Sequence, residues 1–147
     1  MSTGTTMPET TATQTGSKVQ AHVVLFVDDE RNILSSVQRI LRRAPYRVLT
    51  ANSPELGLEL IQKHAVTLVV SDFRMPTMDG VSFLEKVRDL SPDTVRMLLT
   101  GFADTDSAIR AINNGNVFRY LKKPIREPEL LEALRTGVRQ YELVVEN

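Results

Sequence analysis

Five polar residues stand where apolar runs of the chain end. Asp28 and Asp29 follow His22-Val-Val-Leu-Phe-Val27, and Asp72 follows Val66-Thr-Leu-Val-Val-Ser71. Thr100 follows Val95-Arg-Met-Leu-Leu99, and Lys123 comes just after Val117-Phe-Arg-Tyr-Leu121. If these runs are neighbouring strands, about 4.8 Å apart, the three carboxylates converge within a few ångströms. Like charges that close either leave one group protonated or require a cation. Lys123 supplies a single positive charge, too little for three acids. An oxygen-rich pocket without His or Cys suits a hard divalent ion, Mg²⁺ ahead of Zn²⁺ or Cu²⁺. Each residue alone also has a structural reading: Asp28-Asp29-Glu30 as a helix cap or dipole partner, Asp72 or Thr100 as an ordinary strand end, Lys123-Pro124 as a loop dipeptide. The matched set at four of five strand ends is what points to chemistry.

The elements that must position this set can be read from the same sequence. The runs at 22–27 and 66–71 are apolar on both faces, as strands buried in a parallel sheet are. Arg47-Val-Leu-Thr50, Val95–Leu99 and Val117–Leu121 complete five strands. Ile33, Leu34, Val37, Ile40 and Leu41 form a helical stripe that Pro45 ends. Ser53-Pro54-Glu55 starts a second helix, with Ser as N-cap and Pro in the first turn; the cap and Leu60-Ile61 outweigh the strand-like alternation of Leu56, Leu58 and Leu60. Val81, Leu84, Val87 and Leu90 mark a third helix, and Ala108, Ile109, Ala111 and Ile112 a fourth that Asn114-Gly115 stops. A last helix starts near Glu127-Pro128 and runs toward Val145. Regular strand–helix alternation predicts an α/β fold with a doubly wound parallel sheet, functional residues lying beyond the carboxyl ends of its strands.

Composition sets the outer bounds. With 147 residues, 41% of them hydrophobic, the chain is long enough for one domain with a real core. It has no cysteine, which excludes a disulfide scaffold, thiolate metal sites and a cysteine nucleophile, and its two histidines, His22 and His64, are far apart. Eighteen basic residues balance eighteen acidic ones, so overall charge does not point to nucleic acid. No apolar run approaches the ~20 residues that span a bilayer, and no secretory signal opens the chain, so a soluble, cytoplasmic protein is expected. Residues 1–20 contain seven threonines and no Leu, Ile or Phe, too little apolar surface to offset ordering entropy; a disordered Thr-rich tail is expected there, with the folded domain over 21–145.

The motifs Val27-Asp28-Asp29-Glu30, Ser71-Asp72-Phe73-Arg74-Met75-Pro76 with Asp79-Gly80, Leu99-Thr100-Gly101 and Tyr120-Leu121-Lys122-Lys123-Pro124 resemble those of the receiver domains of two-component response regulators, in order and over residues 22–143. The resemblance implies a flavodoxin-like (βα)5 fold with strand order 2-1-3-4-5. It implies that Asp72 accepts a phosphoryl group from a phosphohistidine donor. Asp28, Asp29, Asp72 and the backbone carbonyl of Arg74 would hold Mg²⁺. Lys123, ahead of Lys122, would neutralise the transferred group, with the Lys123-Pro124 bond cis. Thr100 and Tyr120 would form the switch pair, the hydroxyl bonding the phosphoryl group while the ring turns. Phe102, two residues past Thr100, would shield the acyl phosphate and slow its hydrolysis.

Partners are implied likewise: a sensor histidine kinase or histidine phosphotransfer protein, a homodimer through the fourth and fifth helices, and an output domain after the last helix. Arg31, Arg39, Arg42 and Arg43 on the first helix fit kinase docking and a solvated face equally. Leu131, Leu134, Val138, Tyr141 and Val145 keep a heptad spacing that would lead into a linker. The stretch Thr100–Asp104 is similar to receivers that precede HD-GYP phosphodiesterase domains. Two competing readings stay open. A haloacid-dehalogenase-like phosphatase also uses an aspartyl phosphate, but wants Asp-x-Asp after the first strand. A flavodoxin-like cofactor binder wants a Ser/Thr/Gly-rich phosphate loop where Asp28-Asp29-Glu30 would repel phosphate.

Overall fold

Five strands lie parallel in one sheet: β1 (His22–Val27), β2 (Tyr46–Ala51), β3 (Leu68–Asp72), β4 (Val95–Thr100) and β5 (Arg119–Lys122). Their spatial order is β2-β1-β3-β4-β5, so the order reverses between β1 and β3, the point beyond whose carboxyl ends open α/β sheets place their ligand sites. The coordinates are a computed structural model that describes residues 21–145; the expectation of a disordered tail over residues 1–20 lies outside them. Five helices alternate with the strands: α1 (Arg31–Ile40), α2 (Pro54–Lys63), α3 (Gly80–Leu90), α4 (Thr105–Asn113) and α5 (Glu127–Val145). A 3-10 turn, Phe102–Asp104, precedes α4.

The strand residues divide between two cores by their alternation. Val24, Phe26, Leu68, Val70, Met97 and Leu99 face α1 and α5, meeting Val37, Leu41, Leu130 and Leu134. Leu25, Val27, Val69 and Leu98 face the other side, meeting Ile61 of α2, Phe83 and Val87 of α3, and Ala108 and Ala111 of α4. Both faces of the sheet are therefore covered, and this is why the central strands read as unbroken apolar runs.

Local chemistry explains the helix starts. Ser53 Oγ accepts from the Leu56 amide at 3.1 Å, with Pro54 opening α2. Asp79 caps α3 by accepting from the Ser82 amide at 2.8 Å. The alternating leucines of α2 stay partly buried, while Gly57 and Ile61 turn inward; a Cβ on Gly57 would press on the Phe83 ring. β3 begins at Leu68 rather than Val66, and β5 at Arg119 rather than Val117. At these strand starts side chains take over: the Thr94 hydroxyl donates to the Val66 carbonyl at 2.8 Å, and Arg96 Nε donates to the Asn116 carbonyl at 3.1 Å. Arg96 also donates to the carbonyls of Pro92 and Thr94, and Arg88 to the Asn116 side chain. The amino edge of the sheet is thus laced by hydrogen bonds. At the same edge His22 bonds Thr67 Oγ1 and Glu142 Oε2, each at 3.0 Å, tying the far end of α5 to β1.

Candidate functional site

The carboxyl edge of the sheet gathers the polar set. Asp28 leaves β1 with its amide bonded to the Ala51 carbonyl, and its Oδ1 accepts from the Glu30 amide at 2.8 Å. Its other oxygen, Oδ2, is buried without a hydrogen-bond partner. Asp29, next in the chain, is exposed. Asp72 is the last residue of β3 and is buried. One carboxylate oxygen from each of Asp28, Asp29 and Asp72 lies within 4.8 Å of the others.

Lys123 faces these acids from just beyond β5. Its amide donates to the Thr100 carbonyl at 2.9 Å, continuing the register that sets Thr100 beside Lys122. Its Nζ lies 3.0 Å from Asp72 Oδ1, 3.7 Å from Asp28 Oδ2 and 3.2 Å from Glu30 Oε1. The Lys123–Pro124 peptide is cis. Lys122 points elsewhere, its ammonium 6.0 Å from the centre of the Phe102 ring.

The electrostatics record the crowding. Burial pushes the Asp28 carboxyl up to about 6, with Asp72 adding to the rise and the Glu30 amide and Lys123 opposing it. Burial also raises Asp72, against the pull of the Lys123 hydrogen bond. For Lys123 burial works downward, but its bond to Asp72 and the charges of Asp28 and Asp72 outweigh it and hold the ammonium above its ordinary range. Protons and one ammonium are what the protein's own groups offer to relieve this repulsion. The orphaned Asp28 Oδ2 and the all-oxygen donor set fit a hard divalent cation such as Mg²⁺.

The other expected residues fall around this centre. Thr100 ends β4 and is fully buried, yet its Oγ1 has no hydrogen-bond partner. Asp72 pairs in register with Leu99, one residue before it. Tyr120 pairs with Leu98, two residues before Thr100, so the two side chains share the sheet face toward α3 and α4, where the half-buried ring packs. Arg74 follows Asp72 by two residues, and its side chain turns away to Asp104. Phe102 is 90% exposed, so the shield expected of it is not formed: the ring stands in solvent beside Lys122. Two participants escaped the sequence reasoning. Glu30 belongs to the Val27-Asp28-Asp29-Glu30 motif and to the helix start, and its contact with Lys123 is seen only in the structure. Asp104 stands in the Thr100–Asp104 stretch that carries the family likeness, but nothing in its spacing points to Arg74 as its partner.

Comparison with known proteins agrees with this geometry. Residues 24–135 match the family model described as response regulator receiver domain. Over 120 residues the chain is 33% identical to the hydrogenase transcriptional regulatory protein HoxA of Bradyrhizobium diazoefficiens, a match covering 82% of this chain and 24% of that protein. It is 32% identical over 124 residues to the C4-dicarboxylate transport transcriptional regulatory protein DctD of Rhizobium meliloti, covering 84% of this chain and 27% of that protein. The chain thus spans about a quarter of the length of these curated relatives. Among solved structures, the signal receiver domain of an HD domain-containing protein from Pseudomonas fluorescens Pf-5 superposes with a TM-score of 0.82 at 34% identity, covering 89% of this chain and 96% of that one. That neighbour agrees, at the coarser level of an HD-domain protein, with the likeness expected from Thr100–Asp104. A receiver domain protein from Clostridium thermocellum superposes with a TM-score of 0.79 at 29% identity, covering 84% and 99%. Neither the phosphatase nor the cofactor-binding reading is favoured by these matches.

Proposed function

The chain belongs to the response regulator receiver family, and from that premise we propose that Asp72 is its phosphoacceptor, in a Mg²⁺-dependent reaction with a phosphohistidine donor. The observation that carries this reading is the placement of Lys123 Nζ 3.0 Å from Asp72 Oδ1, at a strand edge where buried Asp28 Oδ2 and Thr100 Oγ1 make no hydrogen bond. Asp28, Asp29 and Asp72 would hold Mg²⁺ with the backbone carbonyl of Arg74. The ion, when bound, offsets the charge repulsion that a carboxylate meets in approaching a phosphoryl group.

The chain's own residues do the rest. An Asp72 carboxylate oxygen forms the new bond to phosphorus as the donor's bond from phosphorus to imidazole nitrogen breaks, leaving its electron pair on nitrogen. Lys123, whose Nζ already reaches the acceptor carboxylate, would neutralise oxygens of the transferred group. The Thr100 hydroxyl, unpartnered at rest, donates to one of them. Moving Thr100 toward the phosphoryl group opens space on the face it shares with Tyr120, into which that ring turns, carrying the signal toward α4 and β5. The partners that fit are a sensor histidine kinase or histidine phosphotransfer protein, with a homodimer through α4 and α5 and a following output domain as routes of response. A cytoplasmic location accords with such partners; among the described residues no helix is long and apolar enough to cross a membrane.

Incubation with acetyl phosphate and Mg²⁺, followed by intact mass, tests the reading. The expected result is a gain of one phosphoryl group that chelator prevents and Asp72→Asn abolishes. A gain that survives Asp72→Asn overturns it. Continuous turnover of a phosphate ester would favour a phosphatase instead.

A further inference from the structure

Arg74 and Asp104 are joined by a two-pronged bond across the mouth of the site: Nε donates to Oδ2 at 2.8 Å and Nη2 to Oδ1 at 2.6 Å. The two residues are 30 positions apart, one in the loop after β3 and the other at the end of the 3-10 turn after β4. The pair is one-sided. The Asp104 side chain is only 8% exposed, whereas that of Arg74 is 74% exposed. A buried carboxylate needs a partner or it destabilises the fold, and a guanidinium fork fits a carboxylate in one plane.

Asp104 also gives up a bond to make this one. It occupies the N-cap position of α4, where an aspartate ordinarily accepts an amide of the first turn, but its side chain makes no cap bond. Its carboxylate faces Arg74 with both oxygens. The Arg74 end of the brace is equally placed for a purpose. Phe73 is locked into the sheet, its amide on the Leu99 carbonyl at 3.0 Å and its carbonyl accepting from Gly80 at 2.7 Å. Arg74 is the first residue past that lock. The grip includes Nε, so it engages the side of the guanidinium nearest the Arg74 backbone and fixes the plane of the group as well as its position.

We propose that Asp104 is a positioning residue for the metal: through the fork to Arg74 it holds the Arg74 carbonyl in place as a cation ligand. This rests on the reading of the site given above. Partners that orient a metal's direct ligands are commonly worth 10-fold or more in affinity. The same bond ties the loop after β3 to the start of α4.

Calorimetric titration of the full chain with MgCl₂ alone, with no phosphodonor present, tests this. Asp104→Asn and Arg74→Gln are each expected to weaken Mg²⁺ binding by about 10-fold, and the double variant to be no weaker than either single one, because both act through one bond. Arg74→Lys, which keeps the charge but not the fork, should fall between wild type and Arg74→Gln. An Asp104→Asn protein that binds Mg²⁺ as wild type does overturns the proposal, as does independent, multiplying loss in the double variant. Weakening by Asp104→Asn with none by Arg74→Gln also overturns it, since a freed positive charge would then be the cause. If Asp104→Asn fails to fold, Arg74→Gln and Arg74→Lys decide alone. Asp28→Asn, which removes a direct ligand, separates the two levels: wild-type protein that binds no Mg²⁺ at all defeats the reading of the site, whereas binding lost in Asp28→Asn and untouched in Asp104→Asn defeats only the role of Asp104.

Discussion

Gly80, the first residue of α3, touches the backbone carbonyl of Asp72 so closely that a Cβ on the glycine would fall well inside contact distance of that oxygen. The obstacle is main chain, not a flexible side chain, so it cannot swing aside. Gly80→Ala is expected to push α3 off the end of β3, costing about 1–3 kcal/mol as overpacking does. It should also slow phosphoryl acceptance by displacing Asp72. Urea denaturation and the rate of mass gain with acetyl phosphate check the two effects together.

Stability should depend on pH through the acidic cluster. With its carboxyl raised to about 6, folded Asp28 keeps a proton that the unfolded chain has already lost between the ordinary carboxylate range and that value. The unfolded state binds fewer protons there, so stability of the metal-free protein falls as pH rises through this window. The raised carboxyl of Asp72 acts in the same direction. Asp28→Asn is then expected to stabilise the metal-free protein at pH 7 by about 1–2 kcal/mol, and Mg²⁺ binding to weaken below pH 6 as protons compete. Thermal melts across pH in chelator, with and without the substitution, give the sign.

Lys123 and a divalent ion answer to the same carboxylates. Lys123→Ala should therefore bind Mg²⁺ more tightly than wild type, having lost the competing ammonium, while accepting phosphoryl groups more slowly by about 10-fold or more. Calorimetry and phosphorylation kinetics on one sample would show these opposite movements. Equal weakening of both would mean that the lysine chiefly holds the crevice together.

The Thr100 hydroxyl has no partner at rest, so Thr100→Ala removes no bond and should change stability by less than about 1 kcal/mol. Phosphorylation of Asp72 should persist, and the response should not: a shift of Tyr120 ring resonances is expected on phosphorylation of the wild type and should be lost in the variant. A Thr100→Ala protein with the normal shift would remove the switch pair.

The parts of the molecule that were legible in its sequence are those where one residue type decides one outcome. Five apolar runs, each closed by a polar residue, are enough to predict a parallel sheet and to bring Asp28, Asp29, Asp72 and Lys123 to one edge, because parallel strands present their carboxyl ends together; the strand order followed only from the resemblance to receiver domains. Ser53-Pro54 announces α2 by its own cap chemistry, even against the alternation of Leu56, Leu58 and Leu60. Strand ends were harder to read. Val66 and Val117 look like strand residues, yet side chains of Thr94 and Arg96 serve the backbone there. The Arg74–Asp104 fork was illegible because two surface-type residues in separate loops carry no periodicity. Phe102 was misread for a related reason: size implies cover, but its direction is set by a 3-10 turn that leaves the ring outside.

The two edges of the sheet are finished very differently. Around Arg96 the carbonyls of Pro92, Thr94 and Asn116 are all fastened, whereas at the opposite edge Thr100 Oγ1 and Asp28 Oδ2 are buried without a hydrogen bond. β4 joins these two ends, and α4 returns along it to Asn116, whose amide bonds the Ala111 carbonyl at 3.1 Å. Such a helix is tied at both ends, to the laced edge through Asn116 and to the loop after Asp72 through the bond from Arg74 to Asp104. Of those two ties only the one at Asp104 leads back to the residue after Phe73, so a change at Asp72 that reaches α4 would be expected to enter it at Thr105 and Asp106.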